Sequence, residues 1–266
     1  MTYETSTQPL AIEIKDLVKD FRVYHRSYGT LKGMASDWFR SSLLRQAVKG
    51  YELRRALDHV TLSIPQGQTT ALIGRNGSGK STLLAILSRI YLPTSGEAVL
   101  RGSLMSLLEL GVGFDDELTG AENVFFGAMV RGLSSEEAAA RYNDIVEFSE
   151  LGQETMDLPV RMYSSGMKLR LAFGIVGNLD SNIILLDEGL AVGDIAFQHK
   201  CLDRLTEFKA QGRTIVMVAH EMPLVHQFAE RVIWLERGAI KMDGPPDVVV
   251  PAYEAMLLDA TDAAKA

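Results

Sequence analysis

This sequence has a single cysteine, no long apolar run and a negative net charge. Its 266 residues include one cysteine, Cys201, which excludes an intramolecular disulfide and a cysteine-based metal cluster. Cys201 lies in a helical pattern, so we expect it to be a small buried hydrophobe. No apolar run approaches the ~18–20 residues needed to cross a bilayer, and residues 1–9 have neither the basic nor the apolar character of a signal peptide. We therefore expect a protein of the cytosol, or one bound peripherally to a membrane.

The charge balance argues against a further class of function. The formal net charge is −7, which disfavours general electrostatic binding of nucleic acid. The charge is uneven, because residues 22–55 carry eight Lys or Arg against only Asp37 and Glu52. With 47% hydrophobic and 23% charged residues, the chain can bury an ordinary core, and its length predicts one domain with lobes.

The most informative pattern is Gly74–Thr82, which reads GRNGSGKST and matches G-x-x-x-x-G-K-[ST] in full. It lies between an apolar run at 70–73 and a helical pattern at 83–90. Its glycines allow a sharp turn that directs consecutive backbone N–H groups and the start of the next helix at one anion. Lys80 is then expected to reach the β- and γ-phosphates of a nucleotide, and Ser81 to hold Mg²⁺. The residues predicted to surround the phosphates are Gly74, Asn76, Gly77, Ser78, Gly79, Lys80, Ser81 and Thr82.

Two later strand patterns end in polar residues that such a loop needs. The apolar run at 182–186 ends in Asp187 and Glu188, and a second apolar run is followed by His220. In a parallel sheet these residues reach the same edge as the loop, so we expect Asp187 to reach Mg²⁺ and Glu188 to accept a proton from the attacking water. His220 is placed to face the ligand at this edge, although a lone histidine is more often structural or solvated.

The remaining periodicity predicts an α/β fold with two additions. Strand patterns on both sides of the loop indicate a β lobe beside the nucleotide-binding fold. Between about 120 and 180 the pattern predicts three or four helices, one of which begins with a capping box at Ser134 to Glu137. The other predicted elements are strands at 10–18, 56–64, 98–100 and 213–219, a hairpin at 231–242, and helices at 167–178 and 247–258.

Two features before the loop have open interpretations. Residues 30–48 predict a basic amphipathic helix whose apolar face includes Trp38 and Phe39. Such a helix can dock on anionic lipid or on a partner, or it can pack on the chain's own core, and the pattern favours neither. Phe21 and Tyr24 follow the first strand pattern and are candidates to stack on an adenine, with simple packing as the equal alternative.

The order of phosphate loop, Ser-Gly turn before a helix, Asp-Glu strand and strand-end histidine resembles the ATP-binding cassette (ABC) ATPases over about residues 11–245. Within that superfamily the chain is similar to the exporters of polysaccharide, O-antigen and teichoic acid. The segments that carry this similarity are ELGVGF at 109–114, LTGAEN at 118–123, YSSGM at 163–167, LAVGDIAFQ at 190–198 and WLERG at 234–238. The resemblance implies a P-loop NTPase fold with an antiparallel β lobe and an inserted α-helical subdomain, and ATP and Mg²⁺ as cofactors.

The resemblance also implies roles for individual residues. Ser164, Ser165 and Gly166 match the signature motif that binds the γ-phosphate of a nucleotide held by a second copy, although Ser165 replaces a glycine. Glu109 stands where the superfamily has its Gln loop, and we assign it to the metal site. The remaining roles implied are catalysis by Glu188, His220 and Lys80, metal binding by Ser81 and Asp187, and adenine stacking by Phe21 with Tyr24 as competitor.

At the level of the whole chain, the resemblance implies one nucleotide-binding domain over 1–266. Two copies are expected to close head to tail and to drive a separate polytopic permease at the cytoplasmic face of the inner membrane, with a lipid-linked polysaccharide as cargo. The alternatives are a soluble ABC ATPase that acts as a nucleotide-gated binding module, and a transporter subunit for another cargo. The expected parts are a catalytic core with its β lobe at about 10–118 and 180–245, a helical subdomain at about 119–179, and a C-terminal helix and tail at 246–266.

Overall fold

A computed structural model describes residues 8–23, 51–106, 114–130, 132–178, 180–187 and 194–263. Within these ranges, none of the helices has the length and apolar character needed to cross a membrane. The strands are β1 (Leu10–Val23), β2 (Glu52–Pro65), β3 (Thr69–Ile73), β4 (Ser95–Leu100), β5 (Leu104–Ser106), β6 (Ile183–Leu186), β7 (Thr214–Val218), β8 (Arg231–Glu236) and β9 (Ala239–Gly244). The helices are α1 (Lys80–Leu87), α2 (Gly120–Val130), α3 (Ser135–Ser149), α4 (Gln153–Met156), α5 (Ser165–Gly177), α6 (Ile195–Ala210), α7 (Met222–Phe228) and α8 (Pro246–Ala263), with a 3₁₀ turn at Val160–Met162.

The larger sheet has six strands in the order β5-β6-β7-β3-β8-β9. Neighbouring strands are parallel except in the β8–β9 hairpin. Every residue of β3, β6 and β7 is buried, which is typical of parallel strands covered on both faces. Because these strands are parallel, the segments that follow β3, β6 and β7 meet at one edge of the sheet.

A smaller antiparallel sheet contains β1, β2 and β4 in the order β2-β1-β4. Ile12, Ile14 and Leu17 of β1 are each no more than 1% exposed. They share a hydrophobic cluster with Leu72 of β3 and Leu84 of α1. The predicted β lobe is confirmed, and it packs against the helix that follows the phosphate loop.

The helices α2 to α5 surround a hydrophobic cluster of their own. Val124, Ile145 and Leu171, from three of these helices, are fully buried in it. The predicted capping box at the start of α3 is confirmed, because the Glu137 N–H donates to Ser134 Oγ and the Ser134 N–H donates to the Glu137 carboxylate. Four helices between 120 and 177 agree with the predicted three or four.

Several elements differ from their predicted extents. β1 and β2 continue to Val23 and Glu52 because they pair with each other along this length. α1 ends at Leu87 instead of position 90, since Arg89 has a φ of +62°, which a helix does not allow. β5 was not predicted, because it forms by pairing with β6, which lies far away in the sequence. Cys201 is buried as expected, and burial raises the pKa of its thiol to about 12.

Candidate functional site

The Gly74–Thr82 loop joins β3 to α1 and is enclosed by neighbouring backbone on two sides. A Cβ atom on Gly74 would lie 2.2 Å from the carbonyl oxygen of Leu235, and one on Gly79 would lie 2.7 Å from that of Ala56. The φ angles of the two glycines are +144° and +110°. Only glycine satisfies both conditions, so the loop can turn tightly between β8 and β2.

Polar groups converge inside this loop. Lys80 is 4% exposed, and its Nζ donates to the carbonyl oxygens of Gly74 at 2.7 Å and Arg75 at 3.2 Å. α1 starts with no side-chain cap and no acidic residue in its first turn, so its first N–H groups are suited to an anion. Among the described residues, the buried Ser78 Oγ finds no hydrogen-bond partner. A buried ammonium, an uncapped helix start and an orphaned hydroxyl together fit the phosphates of a nucleotide.

The outer side of the loop is accessible. Asn76, Gly77 and Ser81 are exposed, and Thr82 is half-buried. A cavity of about 440 Å³ opens there and is lined by the loop, by the end of the β8–β9 hairpin and by Met256 of α8. A ligand can therefore approach the loop without displacing core side chains.

Asp187 and His220 lie at the same edge of the sheet as the loop. Asp187 follows β6 directly and is half-buried, whereas His220 comes two residues after β7 and is exposed. β7 lies between β6 and β3 in the sheet. Glu188, the predicted proton acceptor, lies outside the described residues. The strand order thus brings Asp187 and His220 to the edge of the sheet where the phosphate loop lies.

A dense metal centre is not present in the part of the chain that the structure describes. No group of three or more His, Cys, Asp or Glu side chains is close enough there to hold a metal ion. Of the predicted Mg²⁺ ligands, Ser81 and Asp187 are described, and Glu109 lies outside the described residues. A hydroxyl and a carboxylate are oxygen ligands of the kind Mg²⁺ prefers when the phosphates of its substrate supply others.

Ser164, Ser165 and Gly166 lie at the start of α5, on the helical part of the chain. Ser164 is the N-cap, and its Oγ accepts a hydrogen bond from the Met167 N–H at 3.2 Å. Both serines are exposed and Gly166 is half-buried. Tyr163 and Met167, on either side of this motif, pack in the hydrophobic cluster of α2 to α5, whereas Leu83 and Leu84, which follow the phosphate loop, pack in the cluster shared with the smaller sheet.

Tyr163 anchors this motif, a role that sequence reasoning missed. Its hydroxyl donates to the carbonyl oxygen of Thr155 at 2.6 Å, and burial raises the pKa of the phenol to about 12. Gly120, at the start of α2, lies against it, since a Cβ at that position would come within 2.1 Å of Tyr163 Oη. The two residues are far apart in sequence, so no local pattern indicates their contact.

Asn123 is a second residue whose role the sequence did not indicate. It is fully buried, and its Oδ1 accepts from the Asp115 N–H at 2.9 Å. Its Nδ2 donates to the carbonyl oxygens of Asp115, Leu118 and Thr119 at 3.0, 3.2 and 2.9 Å. The Val160 N–H donates to the Leu118 carbonyl at 2.9 Å. One buried amide therefore orders the loop before α2 and connects it to the segment that leads into α5.

Phe21 packs within the chain. Its ring meets that of Tyr91 edge to face at 5.4 Å, and Lys19 Nζ lies 5.0 Å from its centroid. Lys19 also donates to the carbonyl oxygen of Leu92 at 2.7 Å. Phe21 thus lies beside the segment that leaves α1. Tyr24, its competitor, and the predicted helix at 30–48 lie outside the described residues.

Comparison with known proteins agrees with this geometry. The chain matches the family described as ABC transporter over residues 57–191. It is 42% identical over 245 residues to the O-antigen export system ATP-binding protein RfbB of Myxococcus xanthus, a match that covers 91% of this chain and 55% of that protein. It is 38% identical over 243 residues to the protein of the same name from Klebsiella pneumoniae, with 91% of this chain and 97% of that protein covered. The chain therefore spans about half the length of the first relative and nearly all of the second.

The fold also resembles solved structures. The ATP-binding cassette MJ0796, in a dimeric post-hydrolysis state bound to ADP and Pi, has a TM-score of 0.68 and 22% sequence identity to this chain. The match covers 88% of this chain and 98% of that one. At this identity the similarity supports the fold alone.

Proposed function

This chain belongs to the ABC transporter family, and on that premise we propose that it is the ATPase subunit of an exporter that moves a lipid-linked polysaccharide out of the cytoplasm. The observation that carries the proposal is the interior of the Gly74–Thr82 loop. There the buried Lys80, the orphaned Ser78 hydroxyl and the uncapped start of α1 converge at the end of β3. These groups suit the β- and γ-phosphates of ATP.

ATP binds with its phosphates on the backbone of this loop. Lys80 leaves the carbonyl groups that it now contacts and pairs with the β- and γ-phosphates. Ser81 and Asp187 fit Mg²⁺, with Glu109 as a further ligand, and the ion would neutralise phosphate charge. The adenine stacks on Phe21 or Tyr24.

Hydrolysis uses the polar edge of the sheet. Glu188, one residue beyond Asp187, orients or deprotonates the attacking water. His220 contacts the γ-phosphate from the end of β7. Lys80 stabilises the charge that develops on the transferred group.

Each site is completed by a second copy of the chain. Ser164 and Ser165 are exposed at the start of α5, on the part of the chain that packs through Tyr163 and Met167 among α2 to α5. We infer a head-to-tail dimer in which this motif of one copy faces the loop of the other. MJ0796, one of the structural neighbours, is itself a dimer with ADP and Pi bound, and we carry dimerisation over to this chain as part of the proposal.

The polysaccharide cargo is inferred from the relatives. Proteins named for O-antigen export share 38–42% identity over 91% of this chain. The permease is a separate polytopic protein that docks on the segment around residues 109–118, and the ATPase acts at the cytoplasmic face of the inner membrane. The basic segment at 30–48 lies near the membrane or the permease. Nucleic acid is not a partner in this proposal, in keeping with the net charge of −7.

Copurification tests the proposal. The tagged chain is expressed in its native cell, the membranes are solubilised gently, and the stoichiometric partners are identified by mass spectrometry. We expect a polytopic membrane protein, and ATP turnover by the complex that responds to added lipid-linked glycan. In the same complex Glu188→Gln should retain ATP binding and lose about 10²–10⁴-fold in turnover, the usual contribution of general-base catalysis.

Other results would redirect the assignment. Exclusively soluble or ribosomal partners would favour a nucleotide-gated binding module over a transporter. If ATP turnover by the complex responds to a drug or a small solute and not to glycan, the cargo is that class of molecule and not a polysaccharide. Turnover that is unchanged in Glu188→Gln would remove Glu188 from the catalytic role.

A further inference from the structure

Arg170 of α5 joins two carboxylates from two other helices. Its Nη1 donates to Glu150 Oε2 at 2.5 Å, and its Nη2 donates to Asp194 Oδ2. Lys200 of α6 donates to the other oxygen of Glu150 at 3.1 Å. The Arg170 side chain is 19% exposed, so its guanidinium is largely enclosed by these partners.

An aromatic cluster lies under the guanidinium. The Arg170 Cζ atom is 4.7 Å from the ring centroid of Phe197, which is fully buried. Phe197 of α6 meets Phe148 of α3 and Phe173 of α5 edge to face, with centroids 5.9 and 6.3 Å away. Three helices therefore meet in an apolar joint that Arg170 covers with two ion pairs.

Both carboxylates occupy helix ends. Asp194 is the N-cap of α6 and accepts from the Phe197 N–H at 2.9 Å. Glu150 is the C-cap of α3, with a φ of +55°. The Phe197 N–H and then Arg170 lower the pKa of Asp194, and Arg170 and then Lys200 lower the pKa of Glu150. Both carboxyl groups are therefore charged at neutral pH. Arg170 thus pairs with the residue that ends α3 and with the residue that begins α6.

Arg170 lies on the helix that begins with the signature motif, and it pairs with Asp194, which ends the connection that contains Glu188. Ser164, at the start of α5, lies six residues earlier, which corresponds to about 9 Å along a helix. Asp187 and Asp194 bracket residues 188–193, the connection that contains Glu188. A connection of six residues is constrained by where its two ends are held. Arg170 thus ties the helix that carries the signature motif to one end of the connection that carries the catalytic carboxylate.

We propose that Arg170 is a positioning residue for ATP hydrolysis, which holds the start of α6 in register with the signature helix through its paired contacts with Asp194 and Glu150. The inference rests on the proposed function. Arg170 itself touches no nucleotide, and it acts through the relative placement of α5 and α6.

A purely structural role makes a different prediction. Asp194 and Glu150 are 58% and 46% exposed, and ion pairs to exposed carboxylates contribute little to stability. Loss of the pairs should then change neither the unfolding temperature nor turnover by much. A positioning role predicts a fall in kcat that is larger than the loss of stability explains.

The chain offers a matched control. The Arg213 side chain is 16% exposed, and its Nη2 lies 3.5 Å from Asp180 Oδ1. Its Cζ atom lies 4.5 Å from the ring centroid of Phe208. It precedes β7, at the edge of the sheet opposite the phosphate loop. Arg213→Met therefore removes a similar ion pair and a similar aromatic contact far from the proposed reaction.

The experiment compares Arg170→Met, Asp194→Asn and Arg213→Met in the full-length chain, with ATP turnover, MANT-ATP binding and thermal unfolding measured for each. Asn at 194 keeps the oxygen that caps α6 and removes the charge. We expect Arg170→Met and Asp194→Asn to lower kcat roughly 3- to 30-fold, the range of coupling through a packed network. MANT-ATP affinity should change less than 2-fold, Arg213→Met should keep its kcat, and Arg170→Lys should recover part of the loss.

The double variant completes the test. If Arg170 acts through Asp194, Arg170→Met with Asp194→Asn should lose no more kcat than the worse single variant. Additive losses, equal losses in Arg170→Met and Arg213→Met, or an unchanged kcat in Arg170→Met would each overturn the proposal. If Glu188→Gln lowers turnover and Arg170→Met does not, only the proposal for Arg170 is overturned. Turnover that is indifferent to Glu188→Gln overturns the proposed catalytic site, and this inference with it.

Discussion

Gly120 lies directly against Tyr163, which precedes the signature motif. Gly120→Ala would place a Cβ 2.1 Å from Tyr163 Oη and 3.3 Å from the Cα of Met156. Because the site is buried, the ring must shift and its hydrogen bond to Thr155 must lengthen. We expect a loss of about 1–3 kcal/mol in the free energy of unfolding, the usual cost of overpacking, measured by urea denaturation.

Tyr163→Phe separates the clash from the hydrogen bond. Alone it removes the 2.6 Å bond to Thr155 and should cost about 1–2 kcal/mol. In combination with Gly120→Ala it also removes the atom that the new Cβ meets. The double variant should therefore be more stable than the sum of the two single losses predicts. Strict additivity would contradict the contact.

The sequence predicts a residue's role when its partners are close to it along the chain. It does not when the partners are distant. The capping box at Ser134 spans three residues, and the phosphate loop is one continuous segment, so both follow from local rules. Arg170 bonds to residues 20 and 24 positions away. Nothing in a local window distinguishes it from a solvated arginine, since its role depends on how three helices pack.

At the level of elements, the strands at 183–186 and 214–218 were predicted because parallel strands buried on both faces are continuous apolar runs. β5 and the true end of α1 were missed, since one depends on pairing with β6 and the other on a single backbone angle at Arg89. The loop before α2 was also beyond prediction. Its order comes from one buried amide with four hydrogen bonds.

That amide yields a prediction for the loop as an element. Asn123→Ala removes four hydrogen bonds and leaves backbone groups of Asp115, Leu118 and Thr119 without this buried partner. We expect a loss of about 2–4 kcal/mol in the free energy of unfolding. The Val160 N–H, which donates to Leu118, should also exchange faster with solvent, as measured by hydrogen exchange under native conditions.

Asn178→Ala is the control for this change. Asn178 is half-buried at the end of α5 and donates one hydrogen bond, to the Gly174 carbonyl at 2.7 Å. Its loss should cost about 1 kcal/mol and leave exchange at Val160 unaltered. Equal exchange at Val160 in the two variants would show that Asn123 does not order the connection between the loop and α5.

At the scale of the whole molecule, Tyr163 and Met167 beside the signature motif pack among α2 to α5, whereas α1, which follows the phosphate loop, packs against the smaller sheet. With the serines of the motif exposed, each loop is proposed to meet the motif of a second copy. An isologous dimer places each motif of one copy against the other motif of its partner, so a two-fold axis generates two equal sites. If each site combines the loop of one copy with the motif of the other, two inactive variants can restore activity when they are mixed. A site formed within one chain does not predict this restoration, and neither does an indirect effect of dimerisation.

Complementation between two inactive chains tests that arrangement. Lys80→Ala removes the ammonium that is proposed to bind phosphate, and Gly166→Glu adds a negative charge where the γ-phosphate is expected. Among the described residues and outside its own helix backbone, a Cβ at 166 meets only Ser164 Oγ, at 3.9 Å, so the fold should survive. Each variant alone should be inactive. In a mixed dimer, one site combines both defects and the other has an intact loop and an intact motif. An equal mixture should regain roughly a quarter of wild-type turnover, because about half of the dimers are mixed and each holds one complete site. A mixture that stays as inactive as its components would show that the two motifs act within one chain.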